Sequence, residues 1–185
     1  MRRTSFSDVN CSVAQCLEVI GDWWTMMIVR DVFLGVTRFD ELQSRLGISR
    51  NVLGQRLDKL VDDGVLRRVA YQEHPPRYDY QLTEKGVDLW GVLAMMRQWG
   101  DRWAAPDGPR LELVHRTGCG QTMNVVTTCS ECGEEVTVRD VRAVSGPGDP
   151  EGALLRTIER AAGAGRTRRD DGATSAAAAT RASAS

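Results

Sequence analysis

Only two histidines, His74 and His115, occur in the 185 residues. A Ser/His or Cys/His hydrolase would have no spare imidazole to serve as its base. No glycine cluster runs into a Lys-Ser/Thr pair, so a phosphate-cradling nucleotide loop is missing as well. An enzyme is not expected. Charge of one sign is also absent: the net charge is −1, which removes any bulk electrostatic argument for nucleic acid. No apolar run approaches membrane-spanning length. Met1-Arg-Arg-Thr-Ser5 leads into polar residues rather than a secretory apolar stretch. The expected setting is cytoplasmic and reducing, where five cysteines suit metal or redox chemistry better than structural disulfides.

What the chain does contain is one domain with a real core and small attachments. Residues 1–10 read as a flexible arm. Val13, Ala14, Leu17 and Ile20 share a helical face, and Gly21-Asp22 ends that helix. Trp23-Trp24-Thr25 opens a second, strongly apolar one that Gly35 closes. Of the paired tryptophans, Trp24 is expected in the core. Thr37 is expected to cap a third helix, with Asp40 completing a capping box. Gly47 supplies the left-handed turn residue, and Ser49 caps a fourth helix to about Asp63. Two strands, 65–71 and 77–82, flank His74-Pro75-Pro76, and one long helix is expected over 84–104. Its apolar band is wide enough to suggest a dimer interface, with simple core burial as the rival reading.

The fourth helix is the centre of the reading. Leu53, Leu57, Leu60 and Val61 form its apolar face, leaving Arg50, Asn51, Gln55, Arg56 and Lys59 outside. Arginine offers a fork for guanine or phosphate, while Asn and Gln match the edge of adenine. A polar helix of this kind, with a helix behind it and a hairpin beside it, is a winged helix-turn-helix. The candidate DNA contacts are Ser49, Arg50, Asn51, Gln55, Arg56 and Arg77, with Lys59 nearer the backbone. Residues 38–85 carry nine Lys/Arg against eight Asp/Glu, so binding must rest on local placement of charge. A module that binds protein instead is the rival reading.

A second constellation is His115-x3-Cys119-x9-Cys129-x2-Cys132, with glycine after both Cys119 and Cys132. One imidazole and three thiolates are a donor set for structural, tetrahedral zinc. Short strands at 125–128 and 135–138 would flank the Cys129–Cys132 knuckle, and so small a module needs such a staple. Cys11 precedes the first helix, where the positive end of the helix dipole favours a thiolate, making it a candidate redox residue. The fold class expected is mainly α with a small β-hairpin wing, plus a small C-terminal zinc-ribbon-like β module and a disordered tail. The segments are 11–105 for the winged domain, 106–110 for a linker, 111–142 for the ribbon and 143–185 for the tail.

These residues taken together resemble the HxlR-type family of winged-helix transcriptional regulators, relatives of the MarR group. The matching pieces are Cys11, Ile20-Gly-Asp-Trp-Trp-Thr25, Arg38-Phe-Asp-Glu-Leu42, Gly47-Ile-Ser-Arg-Asn-Val-Leu53 and Gln55-Arg-Leu57. Gly64-Val-Leu66, Pro75-Pro-Arg77, Tyr80-Gln-Leu-Thr-Glu-Lys-Gly86 and Gln98-Trp-Gly100 complete the series. The resemblance implies a homodimer, more often a repressor, whose paired outer helices enter successive major grooves of a near-palindromic operator on double-stranded DNA. It also implies response to a small-molecule or electrophile effector, in some members through the cysteine that matches Cys11. Ser12 stands where the family usually has proline, and Gly54 weakens the outer helix by about 1 kcal/mol relative to alanine.

Overall fold

The computed structural model describes residues 5–160, which fall into two compact units divided between Thr128 and Cys129. The first contains helices α1 (Ser12–Ile20), α2 (Trp23–Phe33), α3 (Phe39–Leu46) and α4 (Arg50–Asp62). Strands β1 (Leu66–Gln72) and β2 (Arg77–Leu82) follow, then α5 (Glu84–Val87), α6 (Leu89–Trp103), β3 (Leu113–Val114) and β4 (Thr122–Met123). Among the described residues no helix is long and apolar enough to cross a membrane. The low-complexity tail beyond Gly163 lies outside the described residues.

The core forms where α2 and α4 cross. Ile28, Val29 and Val32 of α2 meet Leu42 of α3, Leu53, Leu57 and Leu60 of α4, and Leu66 and Tyr80 of the hairpin. Burial pushes the Tyr80 phenol above its usual pKa, with the Arg68 guanidinium opposing the shift. Asp31 is fully buried, yet it is charge-matched. Arg30 donates to its carboxylate at 2.9 and 2.7 Å, and Arg45 of α3 at 3.2 Å, so one carboxylate ties α2 to α3.

Local signals set most boundaries. Gly47 adopts φ +65° at the turn between α3 and α4, and the Val52 amide donates to Ser49 Oγ at 3.3 Å. Gly64 takes φ +70° before β1, and Thr83 Oγ1 caps α5 by accepting from the Gly86 amide. The wing is an antiparallel pair with Leu66 opposite Leu82 and a bulge between Ala70 and Gln72.

Several expectations change. Thr37 does not cap α3: its hydroxyl donates to Asp79 Oδ1 at 3.0 Å, and its carbonyl accepts from the Tyr80 amide at 2.8 Å. Strand-like pairing with β2 outcompetes the capping box, so α3 begins at Phe39 with Arg38 as an N-cap that makes no side-chain bond. The helix expected over 84–104 is interrupted at Asp88, which keeps helical angles of φ −61° and ψ −21°. Residues 5–10, expected as a loose arm, are held to α1. Gln15 donates to the carbonyls of Phe6, Ser7 and Val9, and Glu18 accepts from the Phe6 amide. The strands expected at 125–128 and 135–138 are reduced to single bridge residues, Thr128 and Glu135, and Gln98 of α6 takes both polar groups of Val125, at 2.8 and 3.1 Å. Thr137 in turn gives its amide to Asp140 rather than to a strand. The regular ladder lies earlier, Leu113 opposite Met123 and Val114 opposite Thr122.

In the second unit, Asp149 caps the helical residues 153–160 through the Ala153 and Leu154 amides, each at 3.0 Å.

Two glycines make opposite predictions. A Cβ on Gly86 would overlap the Val65 carbonyl oxygen, whereas one on Gly54 in mid-α4 meets nothing within 4 Å. Gly86→Ala should lose about 1–3 kcal/mol of stability. Gly54→Ala should gain about 1 kcal/mol, both read by urea unfolding. Equal effects of the two would show that the Gly86–Val65 contact has been misassigned.

Candidate nucleic-acid interface

Helix α4 is buried along Leu53, Leu57 and Leu60, each no more than 1% exposed. With one edge fixed inward, a 100° step per residue puts Asn51, Gln55 and Asp58 on the outer edge. All three are exposed. Asn51 and Gln55, one turn apart, make no side-chain hydrogen bond to another described residue, so both amides are free to bond. Ser49 is exposed at the N-terminus of α4, where its hydroxyl already serves as the cap.

The cations expected on this face divide into three groups. Arg50 is exposed and shared with α3: Nη1 lies 2.8 Å from Asp40 Oδ1 and 3.3 Å from Gln43 Oε1, with the guanidinium 4.8 Å above the Phe39 ring. A pair this exposed contributes little and exchanges readily for phosphate. Arg56 is turned inward. Its Nη2 lies 2.9 Å from Asp22 Oδ2, the N-cap carboxylate of α2 that also accepts from the Trp24 amide. The residue thus joins α4 to the start of α2 rather than facing out. Lys59 is held by Asp63 one turn later at 2.8 Å.

The wing completes the surface. Arg77 is exposed at the start of β2 and makes no ion pair among the described residues. Between the wing and the start of α4 lies a groove of about 330 Å³, lined by Phe39, Arg50, Tyr71, Pro76, Arg77 and Tyr78 among others. Two guanidinium groups beside tyrosines make it a polar, cation-bearing channel suited to a sugar-phosphate strand. Its angle is set by the Thr37–Asp79 bond and by Arg38, which lies 3.6 Å from Asp79 and 4.6 Å from the Tyr71 ring centroid.

Sequence reasoning passed over Tyr71, Tyr78 and the exposed Arg67. The interleaving of basic and aromatic residues in Arg67-Arg-Val-Ala-Tyr71 and Arg77-Tyr78 is the signal that could have found them. Asp58, which pairs with Arg68 of β1, sets an acidic end to the outer edge of α4.

The remaining candidates fall elsewhere. Cys11 is the half-buried N-cap of α1 and makes no side-chain cap bond, and Cys16 is exposed. His115 and Cys119 belong to the first unit, with Nδ1 and Sγ 3.9 Å apart and the imidazole against Gly118. Cys129 and Cys132 belong to the second. There the amides of Cys132 and Glu131, with the Cys132 thiol, hold the Cys129 thiol below its ordinary pKa. Gly120 and Gly133, each following a cysteine, take φ +71° and +76°. Among the described residues no group of three or more His, Cys, Asp or Glu side chains is arranged to hold a metal ion.

Comparison with known proteins matches residues 19–108 to the HxlR-like helix-turn-helix family. An uncharacterised HTH-type transcriptional regulator of Mycobacterium tuberculosis is 44% identical over 138 residues, 74% of this chain and 87% of the relative. An alignment of that length extends past the family segment. A crystal structure of a putative transcription factor is 38% identical with a TM-score of 0.68, covering 77% of this chain and 100% of its own. A second putative transcription factor, from Pseudomonas aeruginosa, is 36% identical with a TM-score of 0.57, covering 79% and 99%.

Proposed function

The chain belongs to the HxlR-like helix-turn-helix family and is a DNA-binding transcriptional regulator, and we propose that it acts as a homodimeric repressor on a near-palindromic operator. The observation that carries the mode of reading is the pair of free amides, Asn51 and Gln55, on the outer edge of a helix whose inner edge is buried. That edge enters the major groove, where each amide can bond an adenine edge bidentately. Arg50 exchanges Asp40 for a phosphate, and Arg77 reaches a second phosphate from the wing. Ser49 supports the helix end. Arg56 and Lys59 keep their internal partners and act on the geometry of α4 rather than on DNA. With duplex DNA as the partner, the working compartment is the cytoplasm.

The dimer is supported by α6. Val92, Met95, Trp99 and Trp103 are exposed, Trp99 and Trp103 by about two-thirds. Their spacing puts them on one face, which a second copy would cover. Two α4 helices so paired meet half-sites one helical turn apart, and occupancy of such a site blocks transcription.

We also propose a structural zinc, on the spacing of His115, Cys119, Cys129 and Cys132 in the sequence alone. Each pair, taken by itself, has the chemistry of two ligands: an imidazole beside a thiol, and a thiol whose anion is favoured by amide donors. Zinc there would supply folding energy, not catalysis.

Three outcomes are expected. Against the operator found by selection, Asn51→Ala and Gln55→Ala should each cost about 1–3 kcal/mol and relax preference at one base pair, while Arg77→Ala weakens all duplexes alike. Retained selectivity in both amide variants would remove α4 as the reading helix. Trp99→Glu should sediment as a monomer, and a dimer unaffected by it would move the interface elsewhere. Purified protein should hold one zinc per chain, and Cys132→Ser should release it to a chromophoric chelator that leaves the parent protein's metal in place. A metal-free protein of unchanged stability would contradict the zinc site.

A further inference from the structure

The outer edge of α4 carries a third polar residue, and it is an acid. Four residues separate Asn51 from Gln55 and three more reach Asp58, so the helical repeat keeps all three within about 60° of one another. The Asp58 side chain is 61% exposed. Its carboxylate is nevertheless held in place. Arg68 of β1 donates to Asp58 Oδ1, and the same guanidinium is hydrogen-bonded to the phenol of Tyr80, a core residue. Asp58 makes no other side-chain hydrogen bond among the described residues, which leaves Oδ2 open. We propose that Asp58 is a specificity-determining residue, whose carboxylate accepts the exocyclic N4–H of a cytosine next to the bases read by the two amides. The assignment rests on the reading of α4 as the major-groove helix.

The choice of base follows from what a carboxylate can do. An ionised carboxylate accepts hydrogen bonds and donates none. In the major groove guanine presents N7 and O6 and thymine presents O4, all acceptors that repel it. Adenine sets its N6 donor beside the N7 acceptor, an arrangement that suits an amide and not an acid. Cytosine presents its N4 donor with no acceptor on its own edge. Gln55 and Asp58 lie about 4.5 Å apart along the helix axis, against about 3.4 Å per base pair, so the cytosine falls one or two pairs beyond the base read by Gln55. Along α4 the order amide, amide, acid reads as adenine, adenine, cytosine.

An acid on a DNA-facing edge also meets phosphate, and here Arg68 matters a second time. Pairing with the guanidinium cancels most of the Asp58 field at the distance of a phosphate, while Oδ2 remains an acceptor at close range. Asp62, one turn further along the same edge, is exposed and makes no ion pair among the described residues. It has nothing to hold it or to offset its charge, and it marks where the helix leaves the groove. The two acids thus differ in a way that experiment can separate: one selects a base, the other only repels.

The test is selection of binding sites from a random duplex pool by the full chain and by Asp58→Asn, Asp58→Ala and Asp62→Asn. The unaltered protein should select a C·G pair one or two positions from the pair that Gln55→Ala relaxes, on the side away from the pair that Asn51→Ala relaxes. Asp58→Asn should turn that one position from C·G to A·T, and Asp58→Ala should level it. Asp62→Asn removes an equal charge from the same edge, so it should strengthen all duplexes alike and leave every selected position unchanged. N4-methylcytosine at the selected position places a methyl group where the donor was. It should weaken the unaltered protein about tenfold and leave Asp58→Ala indifferent, and the first of these needs no variant to fold. Equal affinity for cytosine and N4-methylcytosine would overturn the proposal. So would an Asp58→Asn site identical to that of the unaltered protein with affinity lowered on every sequence, the result expected if the carboxylate only ties α4 to β1. In either case the positions governed by Asn51 and Gln55 leave the α4 reading standing. Failure of the unaltered protein to select any site would remove that reading, and this assignment with it.

Discussion

Burial of one edge of α4 is the constraint on which the rest depends. Leu53, Leu57 and Leu60 cannot leave the core without exposing three large apolar side chains and opening the contact with Ile28 and Val29 of α2. Each such side chain contributes about 1.5–3 kcal/mol by burial. Once that edge is inward, the helical repeat dictates that Asn51 and Gln55 face out and that Arg56 lies to the side, within reach of Asp22. The same packing fixes where β1 starts, since Val65 donates to Leu60 and is itself buried. The face proposed to read DNA is thus a by-product of core packing. The groove beside it is a by-product of how the Thr37–Asp79 bond seats the wing.

Features governed by neighbours in sequence were legible from the sequence. Gly47 at positive φ, the Ser49 cap and the hairpin around Pro75-Pro76 all depend on residues within a few positions. The apolar repeat of α4 likewise declared its inner edge. Features governed by distant partners were not. Thr37 is claimed by Asp79, 42 residues away, rather than by its own helix. Arg56 lies on the flank of the helical wheel, and only the position of Asp22 reveals which way it turns. The strand expected at 125–128 shortens for the same reason: the Gln98 side chain supplies to Val125 the bonds that a strand neighbour would have supplied. A polar side chain can replace a ladder partner, and the period-2 pattern carries no trace of it.

A net charge of −1 is reconciled with a DNA-binding surface by pairing. Arg30, Arg45, Arg56, Lys59, Arg68 and Arg97 are matched by acids inside the fold, and most of these pairs tie one element to another or brace a helix. In the groove between the wing and α4, what remains for phosphate is Arg77, together with Arg50 once it gives up its exposed partner. In the proposed binding mode few cations touch phosphate, and selectivity comes largely from the amides of α4. Nonspecific attraction should be weak, because the net charge is −1.

The central claim is that these few exposed cations and the α4 amides together bind a defined duplex. The most direct measurement is the binding constant for the selected operator and for a scrambled duplex across a salt series. A dimer presenting Arg50 and Arg77 twice predicts a slope of log affinity against log salt of about −4, with the operator preferred at every concentration. Binding that is flat with salt and equal on both duplexes would contradict the account and point to a protein partner for this surface.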